Sequence, residues 1–384
     1  MLEAQSAGSL SAASGPWHNS PMRTVAEFTV EHEQVLDAKG ELVASLPRFA
    51  QDLDAVAAMY RAMVRARAFD AKCVNLQRTG QLGTYASCLG QEAVHVAVGL
   101  ALAPEDLLAP VYREVGTQLL RGVDMREILL YWGGDERGND FAHARHDFPW
   151  CVPIATQTLH ATGAAMAFKL RREPRCALAY IGDGGTSEGA FYEAMNMAGA
   201  RALPVVFMIV NNGWAISVPA HAQTAARTLA QKAIAAGIPG VQVDGNDVLA
   251  VRSVLERALA VARSGGGPCV IEALTYRLSD HTTADDASRY RPEGEVREAW
   301  ALEPLLRVRR YLTRLHAWSE AEEQAHAAEC AREIDAAVAA YLTAPRPETD
   351  AMFEHLFAEL PRNLEAQRAV ARAYAQRDAE RDGH

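Results

Sequence analysis

The chain has 384 residues, 49% of them hydrophobic and 22% charged, with a net charge of −10. That is ordinary globular composition, long enough for two or three domains or for one large α/β fold. No long basic run is present, so a nucleic-acid or anionic-membrane surface is not expected. No stretch approaches the roughly 18 apolar residues of a membrane span. The first residues carry no Lys or Arg before Arg23 and no apolar core, which argues against a secretory signal or transit peptide. Residues 1–45 read as a flexible tail in which Met22 offers a second start. The six cysteines, Cys73, Cys88, Cys151, Cys176, Cys269 and Cys330, are scattered without a CxxC. Their pattern predicts reduced thiols in a cytoplasm.

In chain order, the first element is an amphipathic helix from about Asp52 to Arg78, with Val56, Met59, Met63 and Val64 at helical spacing and Gly80 as a stop. GTYASCLG follows as a glycine-punctuated turn, then a small-residue helix from Gln91 to Leu102, read as core or as a subunit-packing surface. LLAPVYREVG reads as a short strand, a loop and a new helix. CALAYI (176–181), PVVFMIV (204–210), VQVD (241–244) and PCVIEAL (268–274) are short apolar runs of the kind that form buried parallel strands. Between them lie a helix from Glu188 to Ala200 and another capped by Asn246 or Asp247, with Val248, Val251, Leu255, Leu259 and Ala262 on one face. This alternation predicts an α/β, doubly wound parallel sheet with helices on both faces over 46–300. Residues 301–384 read as a charged helical C-terminal extension.

The strongest chemical signal lies at two strand ends, where ligands of such sheets bind. Gly182-Asp183-Gly184 closes one apolar run, and Asn212 of the Asn211-Asn212 pair closes the next, 29 positions after Asp183. Glycine lets backbone approach a diphosphate with no Cβ in the way. Asp183 offers a carboxylate to a hard cation, and the chain returns beside it one helix and one strand later. Asn212 then adds a carboxamide oxygen and Trp214 a backbone carbonyl, an all-oxygen set that suits Mg²⁺ bound to phosphates. A helix starting near Ser187 would aim its N-terminal amides at the same phosphates. Alone, a GDG is a glycine turn and a paired Asn a strand-end cap. Together at this spacing, each ending an apolar run, they point to a cofactor site.

In GDGGTSEGAFYEAMNMAGA, VNNGWAIS, GVQVDGNDVLAV and EALTYRLSDHTTADDASRYR the chain resembles the alpha subunit of the decarboxylating component of pyruvate and branched-chain 2-oxo acid dehydrogenases. The resemblance runs from about residue 40 to residue 370. It implies the thiamin-diphosphate-binding fold, with Mg²⁺ on Asp183, Asn212 and Trp214. It also implies that Tyr112, Arg113, Ile154, Gly182, Asp183, Gly184, Gly185, Asn212, Ala215 and His281 hold the cofactor. Arg113 suits phosphate because its planar fork meets two oxygens at once, although an isolated Tyr-Arg pair is more often a surface feature. Val210 stands where some relatives carry a long polar residue. His281, the catalytic candidate, matches the histidine of a mobile loop over the cofactor. That loop, Ser279–Arg291, has too little apolar surface to offset its ordering cost, so it is expected to order only with Mg²⁺ and cofactor bound. Arg277 and Arg289 are expected to pin it through Asp285 and Asp286. Thr282 replaces the serine of relatives regulated by phosphorylation, so such control is not expected.

Ile154-Ala155-Thr156-Gln157 resembles the loop on the thiazolium side, where some relatives also hold a monovalent cation. His143 and His146 lack a third metal ligand and read as a solvated loop. His160 is either a channel residue or a packed helix position.

The resemblance also implies what the chain lacks. The acid that activates the cofactor's pyrimidine resides on a separate beta subunit, which implies an α₂β₂ assembly. A lipoyl domain of the acyltransferase core would then accept the acyl group. The substrate read first is pyruvate, with 3-methyl-2-oxobutanoate as the alternative and an acetoin-type reaction third. Two readings from other classes compete: a nucleotide-binding Rossmann protein, for which GxGxxG is missing, and a scaffold subunit that retains the fold without activity.

Overall fold

Short apolar runs ending at Gly, Pro or Asn build the sheet of the computed structural model, which describes residues 23–382. The strands are β1 (His32–Glu33), β2 (Leu107–Ala109), β3 (Ala177–Gly182), β4 (Val205–Asn211), β5 (Trp214–Ala215), β6 (Val218–Pro219), β7 (Gly240–Asp244) and β8 (Cys269–Leu274). The main sheet has the order β1-β7-β8-β4-β3-β2, and every pairing in it is parallel. β5 and β6 form a separate antiparallel hairpin.

The helices are α1 (Leu53–Arg78), α2 (Glu92–Ala101), α3 (Val115–Leu120), α4 (Met125–Trp132), α5 (Thr156–Arg171), α6 (Gly189–Arg201), α7 (Ala220–Gln223), α8 (Lys232–Ala235), α9 (Val248–Arg263), α10 (Glu293–Ala301), α11 (Pro304–Arg314), α12 (Glu320–Leu342), α13 (Ala351–Glu354) and α14 (Arg362–Asp382). α6 carries the chain from β3 to β4, and α9 carries it from β7 to β8. Parallel neighbours require such crossovers.

Alternation along the central strands divides the core into two layers. Leu178, Tyr180, Val206, Met208 and Ile271 meet residues of α1, α2, α9 and α11 on one face. Ala177, Ala179, Ile181, Phe207, Ile209 and Val270 meet α5 and α6 on the other. The sheet is therefore covered on both sides, which is why its strands are apolar without a polar face. α2 belongs to this core, since every residue from Glu92 to Val98 is buried within the chain. Its small residues serve internal packing rather than an outer surface.

The chain divides by packing after Ala337. α11 belongs to the first unit, its Leu305, Val308 and Leu312 completing the α1–α2–α9 layer. The second unit contains α13 and α14, with an ion pair between Asp350 and Arg372. The expected tail is structured over part of its length. Residues 1–22, Met22 included, lie outside the described residues, but β1 joins the sheet edge and Val35 and Leu36 are buried. One carboxylate explains this: Asp247 caps α9 through Leu249 N and Ala250 N and also accepts from Val35 N at 2.7 Å and Leu36 N at 2.6 Å. No described helix is long and apolar enough to cross a membrane, and all six cysteines are free thiols.

Candidate active site

A cavity of about 630 Å³ opens beyond the carboxyl ends of β2, β3 and β4. The structure brings every nominated site residue to its wall: Tyr112 and Arg113 after β2, Ile154 before α5, Gly182 to Gly185 after β3, then Asn212, Trp214 and Ala215 after β4, and His281 after β8. Gly184 and Gly185 are required by packing, whereas a Cβ on Gly182 would meet open space. A Cβ on Gly184 would sit 2.6 Å from the Ala215 Cβ, and one on Gly185 would sit 2.8 Å from Ile181 Cγ1. The turn after Asp183 differs from expectation. Gly184–Ser187 form one 3₁₀ turn, and the α-helix begins only at Gly189. Thr186 closes that turn by donating its N–H and hydroxyl to the Asp183 carbonyl, at 3.1 and 2.7 Å. The wall residue Ile216, at φ 55°, and Ala155, at φ 65° between the wall residues Ile154 and Gln157, occupy the left-handed region. That region costs a non-glycine residue roughly 1–3 kcal/mol and persists only where the surroundings impose it. At Ile216 the Arg277 guanidinium does so, donating to its carbonyl at 2.8 Å.

Opposite charges face this cavity without pairing. Asp183 is 3% exposed, accepts from Gln223 Nε2 at 3.1 Å, and has no ion pair among the described residues. Burial holds its pKa above the usual carboxylate range. Arg113 is 6% exposed and likewise has no carboxylate partner among the described residues. Its guanidinium donates to the carbonyls of Ser87 at 2.5 Å and His281 at 2.9 Å, and lies 5.7 Å from the centre of the Tyr112 ring. His281 Nδ1 is 3.3 Å from Arg113 Nη2. A guanidinium only donates, so Nδ1 is the acceptor and Nε2 carries the ring proton. Burial first, then Arg113 and Arg277, push the His281 pKa down to about 4.

The family model for the dehydrogenase E1 component matches residues 60–350. The chain belongs to the dehydrogenase E1 component family. Its relatives include the 3-methyl-2-oxobutanoate dehydrogenase subunit alpha of Mycobacterium tuberculosis, 45% identical over 316 residues, which are 82% of this chain and 86% of that one. The pyruvate dehydrogenase E1 component subunit alpha of Acholeplasma laidlawii is 40% identical over 313 residues, 80% of this chain and 90% of its own. The corresponding Staphylococcus aureus subunit is 39% identical over 339 residues, 88% and 91% of the two chains. This E1 chain is thus an oxidoreductase subunit of a thiamin-diphosphate family.

The wall of the E1 cavity fits that cofactor. A buried unpaired carboxylate and a buried unpaired guanidinium on one cavity are each costly alone. A cation at Asp183 and an anion at Arg113 relieve both at once. The oxygens of Asp183, Asn212 and the Trp214 carbonyl are hard donors, as Mg²⁺ demands. Asn212 Oδ1 already accepts from Trp214 N at 3.2 Å, which fixes the carboxamide and leaves its second lone pair for a ligand.

Several parts of the E1 site were not nominated from the sequence. Gln223, Gln91 and Trp132 line the cavity, brought there by tertiary packing that no local pattern marks, and so do Glu114 and Glu188, which flank helix starts. Glu114, whose carboxyl burial raises to about 7, accepts from Val111 N and Arg113 N and so shapes the Tyr112–Arg113 turn. Acidic residues at helix starts were a usable signal there. The segment Ser279–Arg291 is pinned differently from expectation. Arg277 donates to Tyr290 Oη at 2.6 Å, and Tyr290 in turn donates to Asp285. Arg291, rather than Arg289, clamps the carbonyls of Arg277, Leu278 and Ser279. Thr156 and Gln157 begin α5 instead of lying in a loop, and Gln157 faces the cavity while donating to the Tyr180 carbonyl at 2.7 Å. Val210 meets the cavity as an apolar side chain. His143, His146 and His160 are exposed and lie apart from it.

Proposed function

We propose that the chain is the alpha subunit of a pyruvate dehydrogenase E1 component, binding Mg²⁺–thiamin diphosphate for oxidative decarboxylation of a 2-oxo acid and acyl transfer to a lipoyl group. The observation that carries this is the pair of buried, unpaired, opposite charges, Asp183 and Arg113, on one cavity wall. Asp183, Asn212 and the Trp214 carbonyl hold Mg²⁺. Arg113 and Tyr112 meet the diphosphate, and Gly182, Gly184 and Gly185 keep backbone close to it. Ile154 and Ala215 form an apolar wall for the rings. His281, neutral and protonated on Nε2, offers a donor at the reacting end and is the catalytic residue. When bound, thiamin diphosphate supplies the electron sink that lets carbon dioxide leave.

The acid that completes the site belongs to a beta subunit, in an α₂β₂ assembly that passes its product to a lipoyl domain. An apolar rim supports that partner. Val152, Ile154, Ile216 and Val218 line the cavity yet stay 53, 47, 55 and 43% exposed, and clustered apolar exposure marks a contact surface. The second substrate reading is 3-methyl-2-oxobutanoate, favoured by 45% identity to a relative of that name. Co-expression with a beta subunit of the same component, followed by assay with both acids, tests the proposal. Pyruvate is expected to give the larger kcat/KM. A preference for the branched acid replaces the substrate, and turnover of neither overturns the function.

A further inference from the structure

Glu272 sits in the middle of β8, 1% exposed and away from the cavity wall. A carboxylate in a sheet core is costly unless its oxygens are satisfied, and four donors converge on this one. Asn211 Nδ2 reaches Oε1 at 2.8 Å. Leu229 N at 2.8 Å, Ala230 N at 3.0 Å and Gln242 Nε2 at 3.1 Å reach Oε2. Three of these bonds lead to the cavity by two routes. Asn211, its amide fixed by Glu272, accepts from Gly213 N at 3.2 Å and so sets the turn that presents Asn212 and Trp214. The segment held at Leu229–Ala230 continues into Lys232, 7% exposed, whose ammonium donates to the Thr186 carbonyl at 2.7 Å and hydroxyl at 2.9 Å. Thr186 closes the turn that presents Asp183.

We infer that Glu272 is a positioning residue for the metal cradle: from behind the sheet it holds the Asn212 turn directly and the Asp183 turn through the Leu229–Lys232 segment. The inference rests on the proposed Mg²⁺ site. It concerns no group that touches the metal, and groups behind metal ligands set affinity by fixing ligand orientation.

The test titrates Mg²⁺ against thiamin diphosphate binding, followed by calorimetry on the complex with its beta partner. Glu272→Gln turns an amide NH₂ toward the Asn211 NH₂ and breaks that bond while keeping size. It is expected to raise the Mg²⁺ concentration for half-saturation by about tenfold or more. Asn211→Asp places two carboxylates together and is expected to do the same. The double variant Glu272→Gln/Asn211→Asp restores a donor–acceptor pair with the roles exchanged, and is expected to return to within about threefold of wild type, a coupling that a double-mutant cycle isolates. If Glu272→Gln does not fold, Asn211→Asp, which keeps the other three bonds to Glu272, carries the test against the double variant. Wild-type Mg²⁺ dependence in Glu272→Gln, or a double variant no better than the singles, overturns the positioning role. A wild-type complex that binds no thiamin diphosphate with Mg²⁺ instead overturns the proposed function, so the two failures are distinct.

Discussion

Asp183 illustrates how a buried charge declares its ligand. Its carboxylate accepts from Gln223 and has no ion pair among the described residues, which is the ground for proposing a cation there. Asp183→Ala is expected to keep the fold and to weaken Mg²⁺-dependent thiamin diphosphate binding by more than about tenfold, or about 1.4 kcal/mol. Calorimetry within about threefold of wild type would remove Asp183 from the metal site. His281 makes a second residue-scale prediction. Its ring is held neutral with a pKa of about 4, against the ordinary 6.5. The unfolded chain therefore binds more protons between those values, and folding stability falls as pH drops from 6.5 toward 4. His95, fully buried with its pKa pushed down to about 3, adds a loss of the same sign that continues lower. His281→Asn is expected to flatten the denaturation midpoint over pH 4–6.5 without abolishing the slope. An unchanged slope would place the His281 ring in solvent.

At the scale of elements, the segment Ser279–Arg291 is held by its own polar network rather than by apolar burial. His281 N donates to Asp285 at 2.9 Å, Ala287 N to Asp280 at 3.0 Å, and Thr283 N to the Tyr85 carbonyl at 2.8 Å. Such a segment opens locally at low cost. Arg289 is exposed while Arg291 is clamped, so trypsin is expected to cut after Arg289, more slowly once Mg²⁺ and thiamin diphosphate are bound. Tyr290→Phe removes the link between Arg277 and Asp285 and is expected to speed that cut. Equal rates with and without cofactor would end the lid assignment. What was legible in the sequence at this scale was whatever is contiguous. The runs that became β3, β4, β7 and β8 were bounded to within a residue or so, as was the Asp183–Asn212 spacing, because period and punctuation are local. The two-residue strand β1 and the role of Glu272 were not legible, because each exists through partners far away in sequence; the β5–β6 hairpin is local, but two residues a strand are too few to show a period.

For the whole molecule, the proposed sharing of the site with a beta subunit means that the isolated chain is expected to show no decarboxylation of a 2-oxo acid with an artificial electron acceptor. Activity should appear on adding the beta subunit, and turnover by the alpha chain alone would refute the shared site. The Arg113 guanidinium adds a kinetic dimension. It joins the carbonyl of Ser87, 26 positions away, to that of His281, 168 positions away. Closing a longer loop costs more entropy, and contacts of large sequence separation slow folding. The β3–β4 pairing across α6 (Ala177 beside Val205) spans far fewer residues than the Arg113–His281 contact, so the order of assembly follows: that strand–helix–strand unit first, the Arg113–His281 contact last. A nascent chain would then acquire its β3–α6–β4 unit well before its affinity for the cofactor, and misfolded intermediates would be those with that unit formed and Arg113 unjoined to the segment at His281.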